Sequence, residues 1–249
     1  VHISHLKIPS LEAEDMILGY IDREARHEVE FSFDAYPYQP GSTMLNYIVP
    51  YEVWEKGPLG ALSQLGKLDV RAQIAYGLKN YRLPLDKLTL AWVPGKENQQ
   101  HLGKTLEEYV EFTGQEPADA MIDLLIEERM APLIVFNEGD DALIQPVLKH
   151  DLHILGSDGI YFPNSCVHPR AAGSIGRLLG RCVRDWKLFS LEEAVHRTTQ
   201  RAAEKFCMWD RGVLKEGSFA DVVVFDADTI NDEATYEEPL NPTVGVEQV

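Results

Sequence analysis

Short apolar runs rich in β-branched and aromatic residues recur along this chain, and stretches of helical spacing separate several of them. The segments 1–7, 29–36, 88–93, 132–136, 152–156 and 221–226 each read as strands. Strands of this kind joined by helices predict an α/β chain with buried parallel strands. Three helices are well signalled between them. Thr105 heads a capping box with Glu108, and Pro117 opens a helix with Ala118, Met121, Ile122, Leu125 and Ile126 at helical spacing. Ser190 and Glu193 form a second capping box, and its helix is predicted to carry Leu191, Ala194, Val195, Thr198, Ala202 and Phe206 on one face.

The length of 249 residues matches one complete (β/α)8 barrel, but the strands are too few to build one. The segment 41–103 is irregular and rich in Gly and Pro, and it reads as an insertion of the sort that carries specificity loops. Residues 1–7 form neither a signal peptide nor a helix and begin without Met, so the chain is expected to start in mid-fold. A formal net charge of −17 with no basic run argues against a nucleic-acid partner. No apolar stretch approaches the ~18–20 residues of a membrane span. Cys166, Cys182 and Cys207 form no CxxC pair, which favours free thiols and a reducing, cytoplasmic compartment.

Four constellations could carry chemistry. On a strand, His5 and Lys7 would share one face while His2 points away. That pair is either a metal-binding imidazole beside an anion-binding cation or a strand end reaching solvent. Leu155-Gly156-Ser157-Asp158-Gly159 places an Asp where an apolar strand ends, as a general base, a metal ligand or a plain turn. His168-Pro169-Arg170 offers a guanidinium fork suited to a carboxylate, or a surface arginine. Asp34 and Tyr36 share a strand face and line a pocket or close a core layer. Two motifs are decoys. Gly103-Lys104-Thr105 lacks the earlier glycine of a phosphate loop, since position 98 is Asn, and Gly173-Ser174-Ile175-Gly176 follows a loop rather than a strand.

Taken in order, VHISHLK, FDAYPYQPGSTML, GSDG at 156–159, HPRAAGS at 168–174, RLLGRCVRD, LFSLEEAVHRTTQRAAEKF and DRGVLKEGSFADVVVFDADTINDEATYEEP resemble the N-acyl-D-amino-acid deacylase (D-aminoacylase) branch of the amidohydrolase superfamily. The resemblance covers nearly the whole chain and is thinnest between residues 46 and 100. It implies zinc-dependent hydrolysis of N-acyl-D-amino acids to a carboxylate and a free D-amino acid. By that resemblance His5 is a zinc ligand, Lys7 and Arg170 grip the substrate carboxylate, and Asp158 is the catalytic aspartate.

The implied architecture is α/β: a partial TIM (β/α)8 barrel of the metal-dependent hydrolase type, with an inserted subdomain and a piece of an accessory β-sandwich. Late barrel strands are expected in 1–40, the insert and helices in 41–148, the last barrel strand and following helices in 149–212, and part of the sandwich in 213–249. The family's His-x-His pair, metal-binding Cys and further His precede the position of His5, and this chain has no His-x-His. One His and one Asp fall short of the three protein ligands usual for catalytic zinc. The rest of the barrel is therefore expected from an upstream segment, with the small N-acyl amino acid as partner. The alternatives are a related amidohydrolase acting on a cyclic amide or a dipeptide, and a non-catalytic binding module.

Overall fold

The computed structural model describes residues 1–81 and 83–249. Its strands are β1 (His2–Ile3), β2 (Ser32–Ala35), β3 (Ser42–Met44), β4 (Leu88–Trp92), β5 (Leu133–Phe136), β6 (His153–Leu155), β7 (Val224–Phe225) and β8 (Val246–Gln248). Each of the six predicted runs contains a strand, shorter than its apolar pattern. β3 and β8 were not expected. The chain divides into two units, one of residues 1–39, 139–160 and 169–249, the other of residues 40–138 and 161–168.

In the first unit, β1, β2 and β6 form a parallel sheet with β2 in the centre. Phe33 and Ala35 of β2 point into a core shared with Ile8, Ile144, Val147, Leu148, Leu178, Cys182 and Ala194. That face is apolar because it is covered by the helices Gln145–Lys149 and Leu191–Thr198 and by Leu178–Asp185, a π-helical continuation of the helix Arg170–Arg177. A Cβ at Gly180 would collide with the backbone of Ile230, so glycine there lets the 230–231 segment lie directly on the helix. β7 and β8 pair antiparallel, and their residues are mostly exposed.

Two local expectations are corrected here. The first run is a strand only at His2–Ile3, and His5 adopts φ +44°, so His5 and Lys7 do not share a strand face. The cause is Asp34, whose Oδ1 accepts the His5 backbone N–H at 2.8 Å and turns the chain out of the ladder. The helix headed by Ser190 stops at Thr198, because Thr199 leaves helical geometry (φ −122°, ψ −93°), and a second helix runs Gln200–Lys205. Phe206 is therefore 57% exposed rather than on a buried stripe. Buried Arg197 fastens the first helix instead, donating to the carbonyls of Leu148 and His150.

The second unit is built on β3-β5-β4, an antiparallel sheet with β5 central. Segments 88–93 and 132–136 thus pair antiparallel, where alternation with helices had suggested parallel strands. Leu88, Leu90 and Ile134 pack with Leu106, Met121, Ile122, Leu124 and Leu125 from the helices Leu106–Thr113 and Pro117–Glu127. Both halves of the Thr105 capping box form, and Gly114 at φ 65° closes that helix. Residues 161–168 return to this unit: Cys166 N–H donates to Ala91 O at 2.9 Å, and Phe162 stacks on Trp92 at 4.0 Å.

Candidate active site

The three parallel strands end on one edge of their sheet, and the chain beyond each end carries polar residues. Ligand sites in parallel α/β proteins form at such carboxyl ends. Asp34 lies on the β2 face opposite Phe33 and Ala35. Its Oδ2 meets His2 Nε2 at 2.9 Å, while His2 Nδ1 lies 2.8 Å from Ser32 Oγ. Gly156, just past β6, gives Asp34 its room: a Cβ there would sit 2.7 Å from the Asp34 carboxyl carbon.

Lys7, Arg170 and Asp158 come together around Tyr36. Lys7 Nζ lies 4.2 Å from the centre of the Tyr36 ring and donates to Tyr38 O at 2.9 Å and to Gln39 O. Burial, and secondarily the Arg170 charge, lower its pKa to about 7, against the opposing pull of Asp158 and Asp141. Arg170 is the first residue of its helix, only 1% exposed, with its guanidinium 4.5 Å from the same ring. A cation at a helix N-terminus opposes the helix dipole, so its burial there calls for an anion. Asp158 supplies it, with Oδ2 2.9 Å from Arg170 Nη2. Asp158 sits at φ 47°, a left-handed conformation that Asp tolerates better than most residues. Burial is the main cause of the raised pKa of the Tyr36 hydroxyl, which also hydrogen-bonds Arg170.

His5 stands apart from this trio. It is exposed, and its recorded tie is the backbone bond to Asp34. Among the described residues, neither His5 nor Asp158 belongs to a set of three His, Cys, Asp or Glu side chains whose ligand atoms lie within reach of one another. The residues here do not by themselves fit a catalytic zinc, which takes three protein ligands. Among the described residues, the one set of three such groups that do approach one another is Asp22, His150 and Asp151. That set already has its cation, because Arg26 pairs with both carboxylates at 2.8 Å. His150 Nδ1 accepts the Leu152 N–H, so the neutral ring keeps its proton on Nε2 and offers no lone pair there.

A second arginine lies behind the first. Arg177, two helical turns after Arg170, lays its guanidinium 4.4 Å from the Tyr38 ring centre and donates to Pro37 O at 2.6 Å. Asp141 and Asp232 pair with it. Sequence reasoning singled out none of Arg177, Asp141 and Asp232. The seven-residue spacing from Arg170 was the available signal, since it puts both arginines on one helix face.

The fold and this site define an α/β protein that presents an aspartate paired with a buried arginine, with a half-buried lysine on the same tyrosine ring, at the carboxyl edge of a parallel sheet. The chain belongs to the amidohydrolase family, whose model matches residues 89–249. It is 31% identical over 234 residues to an N-acyl-D-glutamate deacylase of Alcaligenes xylosoxydans xylosoxydans, covering 93% of this chain and 39% of that protein. A D-aminoacylase of the same organism is 31% identical over 253 residues, covering 100% and 44%. The solved N-acyl-D-glutamate deacylase of Bordetella bronchiseptica, complexed with zinc and a phosphonate mimic of the tetrahedral intermediate, superposes with a TM-score of 0.74 at 29% identity. That match covers 99% of this chain and 44% of the other. The chain thus spans about two fifths of the length of these relatives.

Proposed function

We propose that this chain contributes to zinc-dependent hydrolysis of N-acyl-D-amino acids, as the late part of a TIM-type barrel with an inserted subdomain and a piece of a β-sandwich. The remaining strands and metal ligands come from an upstream segment in this reading. The observation that carries it is the gathering of Arg170, Lys7 and Asp158 around Tyr36, in a chain whose relatives are named for this reaction.

The substrate's free carboxylate binds Arg170 through its planar fork and Lys7 as a point charge. Fixing that end leaves the acyl-amide and the side chain only one arrangement toward Asp158, which is how a D-centre is distinguished from an L-centre. Asp158 accepts a proton from the attacking water as its oxygen bonds to the acyl carbon. The same proton passes to the amide nitrogen as the C–N bond breaks, leaving a carboxylate and a free amine. His5 would be one ligand of a zinc whose remaining ligands come from the upstream segment, and that ion would supply Lewis-acid polarisation of the scissile carbonyl and a more acidic water.

The free state of all three cysteines supports placement in the cytoplasm, and no described helix is long and apolar enough to cross a membrane. The test is amino-acid release by the full-length protein from matched N-acetyl-D- and N-acetyl-L-amino acids, with a cyclic amide and a dipeptide alongside. Release from the D-series, lost in Asp158→Ala, is expected. Turnover of the cyclic amide or dipeptide alone would reassign the substrate, and undiminished activity of Asp158→Ala would overturn the base.

A further inference from the structure

We propose that Arg177 is a positioning residue for the carboxylate site, fixing the turn 37–39 whose carbonyls hold Lys7. The inference rests on the reading of Lys7 as a carboxylate-binding residue. A lysine side chain is a point charge on a flexible four-carbon stem, so its location depends on what its ammonium binds. Here its hydrogen-bond acceptors include Tyr38 O and Gln39 O, beside the Tyr36 ring. Both lie in irregular chain between β2 and β3, where no strand ladder holds them.

Arg177 reaches every residue of that turn, directly or through a carboxylate it pairs with. Its Nε donates to Pro37 O at 2.6 Å, and its guanidinium covers the Tyr38 ring. Its Nη2 pairs with Asp141 Oδ2, and Asp141 Oδ1 accepts the Gln39 N–H at 3.4 Å. Its Nη1 lies 3.4 Å from Asp232 Oδ2, the oxygen that accepts the Tyr38 hydroxyl at 3.0 Å. At 7% exposure this is a buried cation compensated by two carboxylates. Lysine could not replace it, because only a planar fork satisfies a carbonyl, two carboxylates and a ring face together. The helix Arg170–Arg177 therefore sets both cations of the site, Arg170 in person and Lys7 through its cradle.

The test compares full-length wild type with Arg177→Lys, Arg177→Met and Asp141→Asn, on an N-acetyl-D-amino acid and on the N-acetyl amine lacking only its carboxylate. Both Arg177 variants are expected to raise KM for the carboxylated substrate about tenfold, with kcat within about twofold, and to leave the amine unaffected. Asp141→Asn, which frees only Gln39, should show the same split more weakly. In a Lys7→Met background, Arg177→Met should add less than about twofold, since the two changes act through one contact.

A readout without turnover is the 13C resonance of Lys7 after reductive 13C-methylation of the lysines, assigned by its loss in Lys7→Arg. Arg177→Met and Asp141→Asn should move it while Tm shows both proteins folded. An unmoved Lys7 resonance, or equal losses on both substrates, in any folded variant overturns the proposal. If wild type releases no amino acid from any N-acyl substrate, the deacylase reading fails, and the resonance alone decides the positioning role.

Discussion

Arg170 Nη2 lies 2.9 Å from Asp158 Oδ2, so the residue assigned to hold a substrate carboxylate already holds a protein one. A bound substrate would take over that guanidinium and leave Asp158 free to accept a proton. Arg170→Ala is expected to lower kcat/KM for N-acyl-D-amino acids by about 2–4 kcal/mol, the cost typical of removing one partner of a buried charge pair. Steady-state kinetics with and without the substrate carboxylate checks this. An unchanged KM for the carboxylated substrate would remove Arg170 from the clamp.

Asp158→Ala leaves the Arg170 charge buried without its recorded carboxylate. Asp158 is itself 33% exposed, so the stability loss should be about 1–3 kcal/mol, short of that for a fully buried pair. Asp158→Asn keeps an acceptor oxygen and should lose less stability while losing as much turnover. Urea unfolding and kcat measured on the same two variants would separate the structural share from the chemical one.

His153 gives the first unit a pH-dependent stability. Its ring is fully buried, lies 3.1 Å from Ala35 O, and has its pKa lowered by burial from 6.5 to about 3. The folded form stays neutral where the unfolded chain takes up a proton. Stability from this group is complete above pH 6.5 and falls by about 1.4 kcal/mol per pH unit below it, until the folded pKa is approached. Urea melts at pH 7.5 and 5.5 should show that slope in wild type and a shallower one in His153→Gln. Equal slopes would assign the acid sensitivity elsewhere.

Gly156→Ala pushes a methyl group into the Asp34 carboxyl. Asp34 would then lose its hold on His2 and on the His5 backbone, at an expected cost of about 1–3 kcal/mol. Thermal unfolding measures it, and a neutral substitution would mean that Asp34 has another place to go.

Residues 1–249 expressed alone should self-associate. Among the described residues β1 and β6 are open edges of the parallel sheet, and Val222, Val223 and Val224 of the same unit are exposed. Such edges template pairing with other chains. Light scattering across a concentration series is the check, and a concentration-independent monomer would contradict it.

Local chemistry was the legible part of this sequence. Thr105–Glu108 and Pro117 announce helices through short-range hydrogen bonding and fixed φ, which neighbours alone decide. Strand direction was not legible, because the apolar runs of β4 and β5 look the same in parallel and antiparallel sheets. The position of His5 escaped for a related reason: its left-handed turn is imposed by Asp34, 29 residues away. The grouping of Lys7, Asp158 and Arg170 was visible only as a family pattern. Arg177 went unread because its partners Pro37, Asp141 and Asp232 come from three separate stretches of chain.

The loop between Asp158 and Arg170 spends residues 161–168 on the second unit, stacked on Trp92 and bonded to Ala91, before returning to the first. A transplant of that unit into a relative would thus need two cuts, one exchanging 40–138 and another exchanging 161–168. Swapping the long piece alone would strand Phe162 and Cys166 against a foreign sheet. The short piece hangs between the two members of the ion pair, so any exchange of the second unit must be spliced into the stretch of chain that joins Asp158 to Arg170.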